Sequence, residues 1–472
     1  MNELEHAMKS LKRKAACPNI ANNNILKDLE INGKNFILHI INQSYTNNII
    51  PEEWKQAKVT MIPKKPNDRH NPDNYRPISI TNTLCKISEK LIKNRLVYYL
   101  ESNKLITDFQ SGFRSNKSTI DNVFYFKQKC LEAFSIKRAK HVNKMGGIVF
   151  DIEKAFDKVW HQGILYKMHQ LRIPKKIAEW IMNFLSNRTF IVKVNDKESK
   201  THPISAGVPQ GTILSPILFI IFFSDIPLSV KNYEHNSRAL LFADDLFKFY
   251  WDHNLKRLQV ILQKYLDSLQ EWLSKWRMKT AAHKCSYNIY TEHGNCKDEI
   301  HLEIYGKKIN KENNTKYLGI YLDQNVSFNH HITEMKNRCN RKLSFIKALR
   351  SRKWDVKTQT KFHVYSALIR SITDYAAVLF QNISDHAKHE IETIQYHSML
   401  HILKKPPQTS HKEMREQLNT DKLNIRHKNL KINYLQKALK NNQLIINLYN
   451  DHKQFCIDHN ITDPKYSMFN TT

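Results

Sequence analysis

The stretch ALLFADDLFKFY (Ala239–Tyr250) places two adjacent aspartates, Asp244 and Asp245, between runs of apolar and aromatic residues. Like charges repel each other, and an apolar setting makes an ionised carboxylate costly. A solvated hairpin turn is the simple explanation, because Asp favours turns. Two-residue hairpins, however, prefer Asn-Gly or Asp-Gly, and these flanks are more apolar than a solvated tip requires. The pattern therefore favours a strand–turn–strand that presents an acidic pair to a cation.

A second acid-bearing stretch is GGIVFDIEKAFDKVW (Gly146–Trp160), which reads as an apolar strand running into a helix. Asp151 stands where the strand ends; taken alone, it is an N-cap, and Asp157 is a structural or helix-surface acid. If the strands that end at Asp151 and Asp244 are neighbours in one sheet, their carboxylates meet. Such oxygen ligands suit Mg²⁺, and two ions ~3.5–4 Å apart would stabilise an in-line displacement at phosphorus.

The bulk composition narrows the class of partner. The chain has 472 residues, with 74 Lys and Arg against 44 Asp and Glu, so its formal charge is +30. At about 100–200 residues per domain, this length predicts two to four structural units. The excess of positive charge predicts a polyanionic partner, with nucleic acid ahead of an anionic membrane surface.

Location and redox state follow from three further features. The charged N-terminus carries no secretory signal, and the longest apolar run, Ile217–Phe223, is too short to span a membrane. None of the seven cysteines forms a C-x-x-C pair, which argues against a zinc site or a disulfide framework. We therefore expect an intracellular protein of the nucleus or cytoplasm, with neither a membrane partner nor zinc.

Two more stretches carry weak signals of their own. AGVPQGTILSPILF (Ala206–Phe219) is a Gly/Pro loop that feeds an apolar helix, and Gln210 within it suits contact with a nucleotide or template. An ordinary loop is the default interpretation. In DNYRPISI, Arg76 has the fork geometry that matches triphosphate oxygens. A single Arg in so basic a chain is more often an ordinary surface residue.

Taken in order, these stretches resemble the reverse transcriptase domain of non-LTR (LINE-type) retrotransposons, and most of all the jockey-like elements of arthropods. The resemblance covers almost the whole chain. It rests on the ordered motifs WKQAKVTMIPKKP, NYRPISI, KISEKLIKNRL, FQSGFRSNKSTIDNV, FDIEKAFDKVWHQGIL, GVPQGTILSPILF, FADD and KYLGIYLD. The ordered set is highly specific, whereas FADD alone would not be.

The resemblance implies an α+β fold of the right-hand polymerase type, mostly helical overall. Its expected parts are an N-terminal helical extension (1–50), fingers (51–145), a palm with a small antiparallel sheet (146–326, with a fingers insertion at about 165–205), and a helical thumb with a C-terminal extension (327–472). The implied activity is RNA-directed DNA synthesis, in which a primer 3′-hydroxyl is extended with dNTPs on an RNA template. Two Mg²⁺ ions, or Mn²⁺ in their place, are the implied cofactors.

The resemblance also implies roles for single residues. Asp244 is the expected direct metal ligand, and Asp245 is expected to be a supporting acid. Lys284 is implied to be a proton donor, although an ordinary solvated surface lysine explains its presence nearly as well. The implied roles are metal binding for Asp151, Ile152 (through its carbonyl), Asp244 and Asp245; protonation of the leaving pyrophosphate for Lys284; substrate binding for Arg76, Arg114, Phe156 (as a steric gate against a ribose 2′-hydroxyl) and Gln210; and the primer grip for Tyr317, Leu318 and Gly319.

The last third of the chain carries a basic segment. Lys336–Lys361 contains ten Lys or Arg and one acid, Asp355, with Leu343, Ile346 and Leu349 interleaved among them. This spacing predicts a helix that packs one face and turns the other toward phosphates. A solvated basic face is the plainer alternative in a chain of this charge.

The chain departs from the family in two places. Where the family has a Gly-Pro-Asp-Gly-like segment, this sequence has KRKAACPNIANN, with only Pro18 retained. Full-length members carry an endonuclease ahead of the polymerase, and this chain starts at the polymerase region, so we expect no DNA nicking from it. Two rival interpretations stay open: an RNA-dependent RNA polymerase, and a catalytically inactive, domesticated nucleic-acid-binding protein. Phe156 and FADD argue against the first rival, and the retained acids with Gln210 argue against the second.

Overall fold

A computed structural model of the chain describes residues 1–10, 23–64, 70–138, 141–195, 197–233, 236–351, 356–380 and 383–470. In these ranges the α-helices are α1 (Asn2–Lys9), α2 (Asn23–Lys27), α3 (Ile31–Asn47), α4 (Glu52–Lys55), α5 (Thr83–Ser102), α6 (Thr119–Ser135), α7 (His161–Gln170), α8 (Lys175–Leu185), α9 (Ser215–Phe222), α10 (Leu255–Lys275), α11 (Asn329–Ser351), α12 (Thr358–Tyr365), α13 (Ser371–Asp374), α14 (Asp385–Leu403), α15 (His411–Gln417), α16 (Leu423–Asn441) and α17 (Gln443–Asp458). The strands are β1 (Gln56–Pro63), β2 (Tyr75–Ile80), β3 (Lys137–Arg138), β4 (His141–Val142), β5 (Lys144–Phe150), β6 (Arg188–Val194), β7 (Lys197–Glu198), β8 (His202–Ile204), β9 (Ser237–Phe242), β10 (Asp245–Asp252), β11 (Ser286–Tyr290), β12 (Glu303–Ile304), β13 (Lys307–Lys308), β14 (Asn310–Lys311), β15 (Asn314–Tyr317) and β16 (Ile320–Asp323).

Most of the elements predicted from sequence periodicity are present. The alternation in AKVTMIP predicts a strand, and this segment lies in β1; the sequence also predicts a helix from Thr119 to Phe134, which is α6. The hairpin predicted around Asn195-Asp196 is confirmed, since β6 and β7 pair with Val194 opposite Lys197. Asp196 itself lies outside the described residues. For these elements, the spacing of apolar residues correctly distinguishes helix from strand.

The helix predicted directly after Asp151 is wrong. Turns occupy this segment, and α7 begins only at His161, so Asp151 caps no helix. Ile152 instead pairs with Thr280 in an antiparallel bridge, and Lys154 has a φ of 47° that no α-helix accommodates. Among the apolar residues that suggested helical spacing, Ile152 and Val159 are buried and Phe156 and Trp160 are partly buried. Their contacts are with residues distant in sequence, such as Phe219 for Phe156. Asp157 consequently lies in a turn and not on a helix surface.

The chain forms two compact units. The first unit comprises Met1–Phe113, Ile152–Ile226 and Leu269–Thr280. Its five-stranded sheet has the order β2-β1-β6-β7, with β8 also paired to β6. Strands β1 and β6 run parallel, whereas the remaining pairs are antiparallel. Helix α5 buries its apolar face in this unit, as its spacing predicts.

The second unit comprises Arg114–Asp151, Pro227–Ser268 and Ala281–Thr472. Its five-stranded sheet has the order β14-β11-β5-β10-β9, and each neighbouring pair from β11 to β9 is antiparallel. Helix α6 covers the sheet, and the Phe126 ring lies 4.7 Å from Phe247 and 5.0 Å from Tyr290 between centroids. The small antiparallel sheet expected from the resemblance is therefore present.

The C-terminal part of the second unit is helical from α11 to α17, as predicted from about Ser327 onward. In α11, Leu343 and Ile346 are buried, while Lys342 and Lys347 are exposed. The prediction of one packed and one basic face is confirmed for these positions; Asp355 lies outside the described residues.

The α+β prediction is thus confirmed, whereas the four-part division into N-terminal extension, fingers, palm and thumb stays a prediction. Among the helices of the described ranges, none is long and apolar enough to cross a membrane.

Candidate active site

The acids of the two opening motifs lie at the same edge of the second unit's sheet. Strands β5 and β10 are antiparallel neighbours, with Phe150 opposite Leu246. Asp151 directly follows the last residue of β5, and Asp245 is the first residue of β10. Because the register brings these two strand ends together, Asp151 lies close to both acids of FADD, as the sequence predicted.

FADD itself forms a tight hairpin. Asp245 pairs with Phe242 across the β9–β10 ladder, so the turn consists of Ala243 and Asp244. Ala243 is 4% exposed and has a φ of 56°, a conformation that costs a non-glycine residue about 1 kcal/mol. The hairpin explanation and the acidic-pair prediction are therefore compatible, since the strained turn is what presents the acids.

The three carboxylates share one electrostatic field. Withdrawal from water, then the charge of Asp244 and then that of Asp151, raise the pKa of Asp245 to about 6. Cations would relieve this repulsion. In the described ranges, no group of three or more His, Cys, Asp or Glu side chains forms a ready-made metal cage. Mg²⁺ does not need one, because it usually binds one or two carboxylates together with substrate phosphates.

Lys284 belongs to the same cluster. It ends a short 3₁₀ turn, Ala282–Lys284, just before β11. Its Nζ lies 2.9 Å from Oδ2 of Asp151, and the Ala281 N–H donates to the Asp151 carbonyl at 3.0 Å. More than half of the Lys284 side chain is exposed (57%), so its ammonium can leave Asp151 without opening the core. The structure thus pairs the predicted proton donor with a predicted metal ligand.

The Tyr317–Gly319 segment forms the turn of the β15–β16 hairpin. Leu318 and Gly319 occupy the turn with φ values of 47° and 80°, which suits a tight turn with positive φ at both positions. Tyr317 is buried and accepts a hydrogen bond on its hydroxyl from Nδ2 of Asn122 at 3.0 Å. The hydroxyl of Tyr375 donates to the Leu318 carbonyl at 2.7 Å. Both the preceding tyrosine and the turn are therefore fixed from α6 and from the C-terminal helices.

In the first unit, the Gly207–Gly211 loop packs directly on the segment after Asp151. The N–H of Val208 donates to the Phe156 carbonyl at 2.8 Å, and Nε2 of Gln210 donates to Oδ1 of Asp157 at 2.8 Å. Gly207 has a φ of 88°, and a Cβ there would lie 2.6 Å from the Asp157 carbonyl oxygen. Only glycine fits this approach, so the GVPQG motif is a packing requirement of the loop.

Phe156, Gln210 and Arg76 lie on neighbouring elements of this unit. The Phe156 ring stacks on Phe219 of α9 at 4.5 Å between centroids, with only 10° between the planes. The Gln210 carbonyl accepts from the N–H of Ser79 at 2.7 Å, three residues after Arg76 on β2. The Arg76 side chain is exposed.

Arg114 belongs to the second unit, where it is partly buried in the loop that precedes α6.

Sequence reasoning missed several residues that support these elements. They are Glu89, which accepts two backbone N–H groups next to α9; Asn122, which donates to Tyr317; and Tyr375, which donates to Leu318. Asp157 was expected to be only structural, yet it orients Gln210. Glu89 carried a usable signal, because it is an acid on the apolar face of a predicted helix. The other contacts join residues far apart in sequence, so no local pattern reveals them.

Comparison with known proteins shows the family to which the chain belongs. Residues 62–322 match the family described as reverse transcriptase (RNA-dependent DNA polymerase). This match covers more than half of the chain, so the chain belongs to the reverse transcriptase family. The family match also confirms the right-hand polymerase fold class expected from the sequence.

Relatives from mobile elements confirm the jockey-like resemblance. The chain is 29% identical over 429 residues to the RNA-directed DNA polymerase from mobile element jockey of Drosophila melanogaster, covering 90% of this chain and 46% of the relative. It is 29% identical over 404 residues to the probable RNA-directed DNA polymerase from transposon BS of the same fly, covering 84% of this chain and 44% of that relative. The chain therefore spans less than half the length of these relatives.

Among solved structures, apo telomerase from Candida tropicalis aligns with 90% of this chain and 71% of its own, at 13% identity and a TM-score of 0.46.

Proposed function

We propose that this chain is an RNA-directed DNA polymerase that extends a primer 3′-hydroxyl with dNTPs on an RNA template. In each cycle the primer 3′-hydroxyl loses its proton to solvent and its oxygen forms a bond to the α-phosphorus of the dNTP. The bond between the α-phosphorus and the oxygen that bridges to the β-phosphorus breaks, and pyrophosphate leaves. The observation that carries the proposal is the register of β5 against β10, which brings Asp151 to the acids of FADD. Withdrawal from water, and then the charges of Asp244 and Asp151, raise the pKa of Asp245 to about 6. Such mutual repulsion is destabilising unless cations are bound there.

The acids fit a divalent cation by their chemistry. Asp244 and Asp151 would hold Mg²⁺, or Mn²⁺ in its place, with Asp245 as a supporting acid. The bound ions would supply charge stabilisation to the attacking and leaving oxygens. Lys284 is proposed to give its proton to the leaving pyrophosphate, which the proximity of its Nζ to Asp151 supports. The carbonyl of Ile152 as a further ligand rests on the family resemblance.

Three residues of the first unit are proposed to contact the nucleotide. The stacking of Phe156 on Phe219 leaves its ring little freedom to move, which supports a steric gate against a ribose 2′-hydroxyl. The bond from Gln210 to Asp157 supports a fixed orientation for that side chain. The exposure of the Arg76 guanidinium supports contact with the triphosphate. Arg114 is proposed as a further substrate contact on the resemblance alone.

Nucleic acid is the proposed macromolecular partner, as a hybrid of RNA template and DNA primer. The formal charge of +30 and the exposed basic face of α11 around Lys342 and Lys347 support it. Binding through such a face would weaken steeply as salt rises, by a log–log slope of roughly 0.9 for each duplex phosphate contacted. Tyr317–Gly319 is proposed to grip the primer, supported by the two hydrogen bonds that fix Tyr317 and Leu318.

Extension of oligo(dT) on poly(rA) by the purified chain tests the proposal. We expect dTTP incorporation that requires Mg²⁺ or Mn²⁺ and that stops when EDTA is added. Binding of the hybrid without any metal-dependent product would refute the polymerase and favour the inactive, nucleic-acid-binding rival. Preferential use of UTP over dTTP would favour the RNA polymerase rival.

The sugar choice has its own variant. Phe156→Ala removes the proposed gate, so we expect UTP use relative to dTTP to rise by about tenfold or more, because a steric clash of a few kcal/mol is relieved. Unchanged discrimination in an active Phe156→Ala enzyme would exclude Phe156 as the gate.

A further inference from the structure

Glu89 is a fully buried carboxylate in α5 whose partners lie outside its own helix. Its exposure is 0%, and Oε2 accepts the backbone N–H of Ile213 at 2.8 Å and of Leu214 at 3.0 Å. The Cys85 thiol lies 3.7 Å from Oε1, where it donates a weak hydrogen bond. Burial raises the pKa of Glu89, and the two backbone donors and the charge of Arg188 oppose this rise. Burying such a side chain is costly, and the hydrogen bonds that it accepts offset this cost.

The two N–H groups that Glu89 accepts stand immediately before α9, which begins at Ser215. The backbone donors at the start of a helix have no partner within the helix, and the positive end of the helix dipole favours a carboxylate there. One carboxylate oxygen therefore fixes both the end of the Gly207–Gly211 loop and the start of α9. Helix α9 carries Phe219, on which the Phe156 ring stacks.

The other end of the loop is fixed as well. The N–H of Gly207 donates to the Val159 carbonyl at 2.8 Å, and the N–H of Val208 donates to the Phe156 carbonyl at 2.8 Å. Near the middle, the Gln210 carbonyl accepts from the N–H of Ser79 at 2.7 Å. Gln210 thus lies on a loop attached to Phe156 at one end and to Glu89 at the other. A shift of the loop at its Glu89 end would move both Gln210 and Phe219, the residue on which Phe156 stacks.

From this geometry we infer that Glu89 is a positioning residue for the incoming nucleotide, acting through Ile213 and Leu214 on the Gln210 loop and on α9. The inference rests on the proposed function, which gives Gln210 and Phe156 their contact with the dNTP. Glu89 touches no reacting atom. Its contribution is the reach of its oxygen to two N–H groups, and a neutral acceptor of the same length would serve equally.

Two substitutions separate reach from charge. Glu89→Gln keeps an acceptor oxygen at the same distance and removes the charge, whereas Glu89→Asp keeps the charge and withdraws the oxygen by one methylene. We expect the KM for dTTP to rise by about tenfold in Glu89→Asp and by less than about threefold in Glu89→Gln, with kcat per active enzyme changing less than KM in both. A role as a buried charge beside Arg188 predicts the opposite order.

Ser88→Ala is the matched control. Ser88 is also buried in α5, but its hydroxyl donates to the Leu84 carbonyl within the same helix. We expect this variant to lose stability while its KM for dTTP stays within about twofold of the wild type. A comparable rise of KM in Ser88→Ala would show that general loosening of α5 is responsible, and the inference would fail.

Hydrogen exchange gives a readout that does not depend on activity. We expect the amides of Ile213 and Leu214 to exchange at least about tenfold faster in Glu89→Asp than in Glu89→Gln, with α5 itself equally protected in both. Equal exchange rates of these amides in the two variants would show that Glu89 does not fix Ile213 and Leu214. If the wild-type chain extends no primer, the proposed function fails and the nucleotide role of Glu89 falls with it. The exchange experiment would still decide whether Glu89 fixes the loop.

Discussion

Glu89 in the first unit and Asp245 in the second are both carboxylates whose pKa rises first through loss of water. Their surroundings differ. Glu89 has two backbone N–H donors within 3.0 Å and a guanidinium, Arg188, in its field. Asp245 faces the charges of Asp244 and Asp151, which raise its pKa further. A fully buried acid with donors around it orders the fold, whereas a solvent-accessible acid crowded by other acids provides a place for cations.

Loss of one site acid should have the largest effect. We expect Asp244→Asn to lower primer extension by about 10³-fold, because it removes metal-mediated charge stabilisation worth several kcal/mol. The matched control is Asp298→Asn, since Asp298 pairs with Lys144 at the opposite end of β5. Extension rates on oligo(dT)·poly(rA) measure both. The control should stay within about twofold of the wild type, because this partly exposed ion pair lies at the end of β5 away from Asp151. Equal rates for Asp244→Asn and the wild type would show that the acids around Asp245 do not serve catalysis.

Removal of Glu89 should instead reduce stability. We expect Glu89→Ala to lower the free energy of unfolding by about 3 kcal/mol, because it leaves the N–H groups of Ile213 and Leu214 without an acceptor and Arg188 without a nearby carboxylate. Urea denaturation followed by circular dichroism measures the change. A loss below about 1 kcal/mol would mean that water or another acceptor replaces the carboxylate. Glu89 would then not be a residue that orders the fold, and its contrast with Asp245 would fail.

Acid should change the stability with opposite signs through His427 and through Glu89. Burial lowers the pKa of His427, in the second unit, from 6.5 to about 4. Between pH 6.5 and 4 the unfolded chain binds a proton that the folded chain does not, so His427 makes stability fall as the pH falls, by about 2 kcal/mol from pH 7 to 4.5. The raised pKa of Glu89, in the first unit, has the reverse effect, since its protonation relieves the cost of burial.

The histidine contribution is testable with one substitution. His427→Gln should flatten the decrease of the urea midpoint between pH 7 and 4.5, while the same change at the exposed His363 should leave the decrease intact. A pH profile that His427→Gln does not alter would show that the buried imidazole is protonated in the folded chain.

The smallest effect concerns Asp245 itself. We expect Asp245→Asn to raise the free energy of unfolding at pH 7 without added metal by no more than about 1 kcal/mol, because relief of like-charge repulsion is screened at a solvent-accessible side chain. Extension should fall less than in Asp244→Asn. The difference in urea midpoint between variant and wild type should shrink when Mg²⁺ is added, because bound cations reduce the same repulsion among the carboxylates in the wild type. A clear loss of stability of Asp245→Asn in metal-free buffer would contradict the proposed repulsion between Asp245 and its neighbours Asp244 and Asp151.

Much of the fold and of the site was predictable because the relevant patterns are local. Alternation in AKVTMIP indicated β1, helical spacing indicated α5 and α6, and the order of the acid-bearing motifs indicated which residues would meet. The helix predicted after Asp151 failed for a physical reason. The backbone of this segment bonds to Thr280 and to the Gly207 loop, and its conformation follows those distant partners and not the helical spacing of its apolar residues.

The sequence by itself determined the chemistry: paired aspartates at strand ends, a glycine where Gly207 meets the Asp157 backbone, and an excess of positive charge for a polyanion. Only the tertiary structure decided which groups act on one another. The register of β5 against β10 brings Asp151 to Asp245, and the packing of α5 against the start of α9 brings Glu89 to Ile213. Residue type sets what a side chain can donate, accept or charge. The partners of these side chains are fixed when segments distant in the chain pack together, and no local pattern encodes that choice.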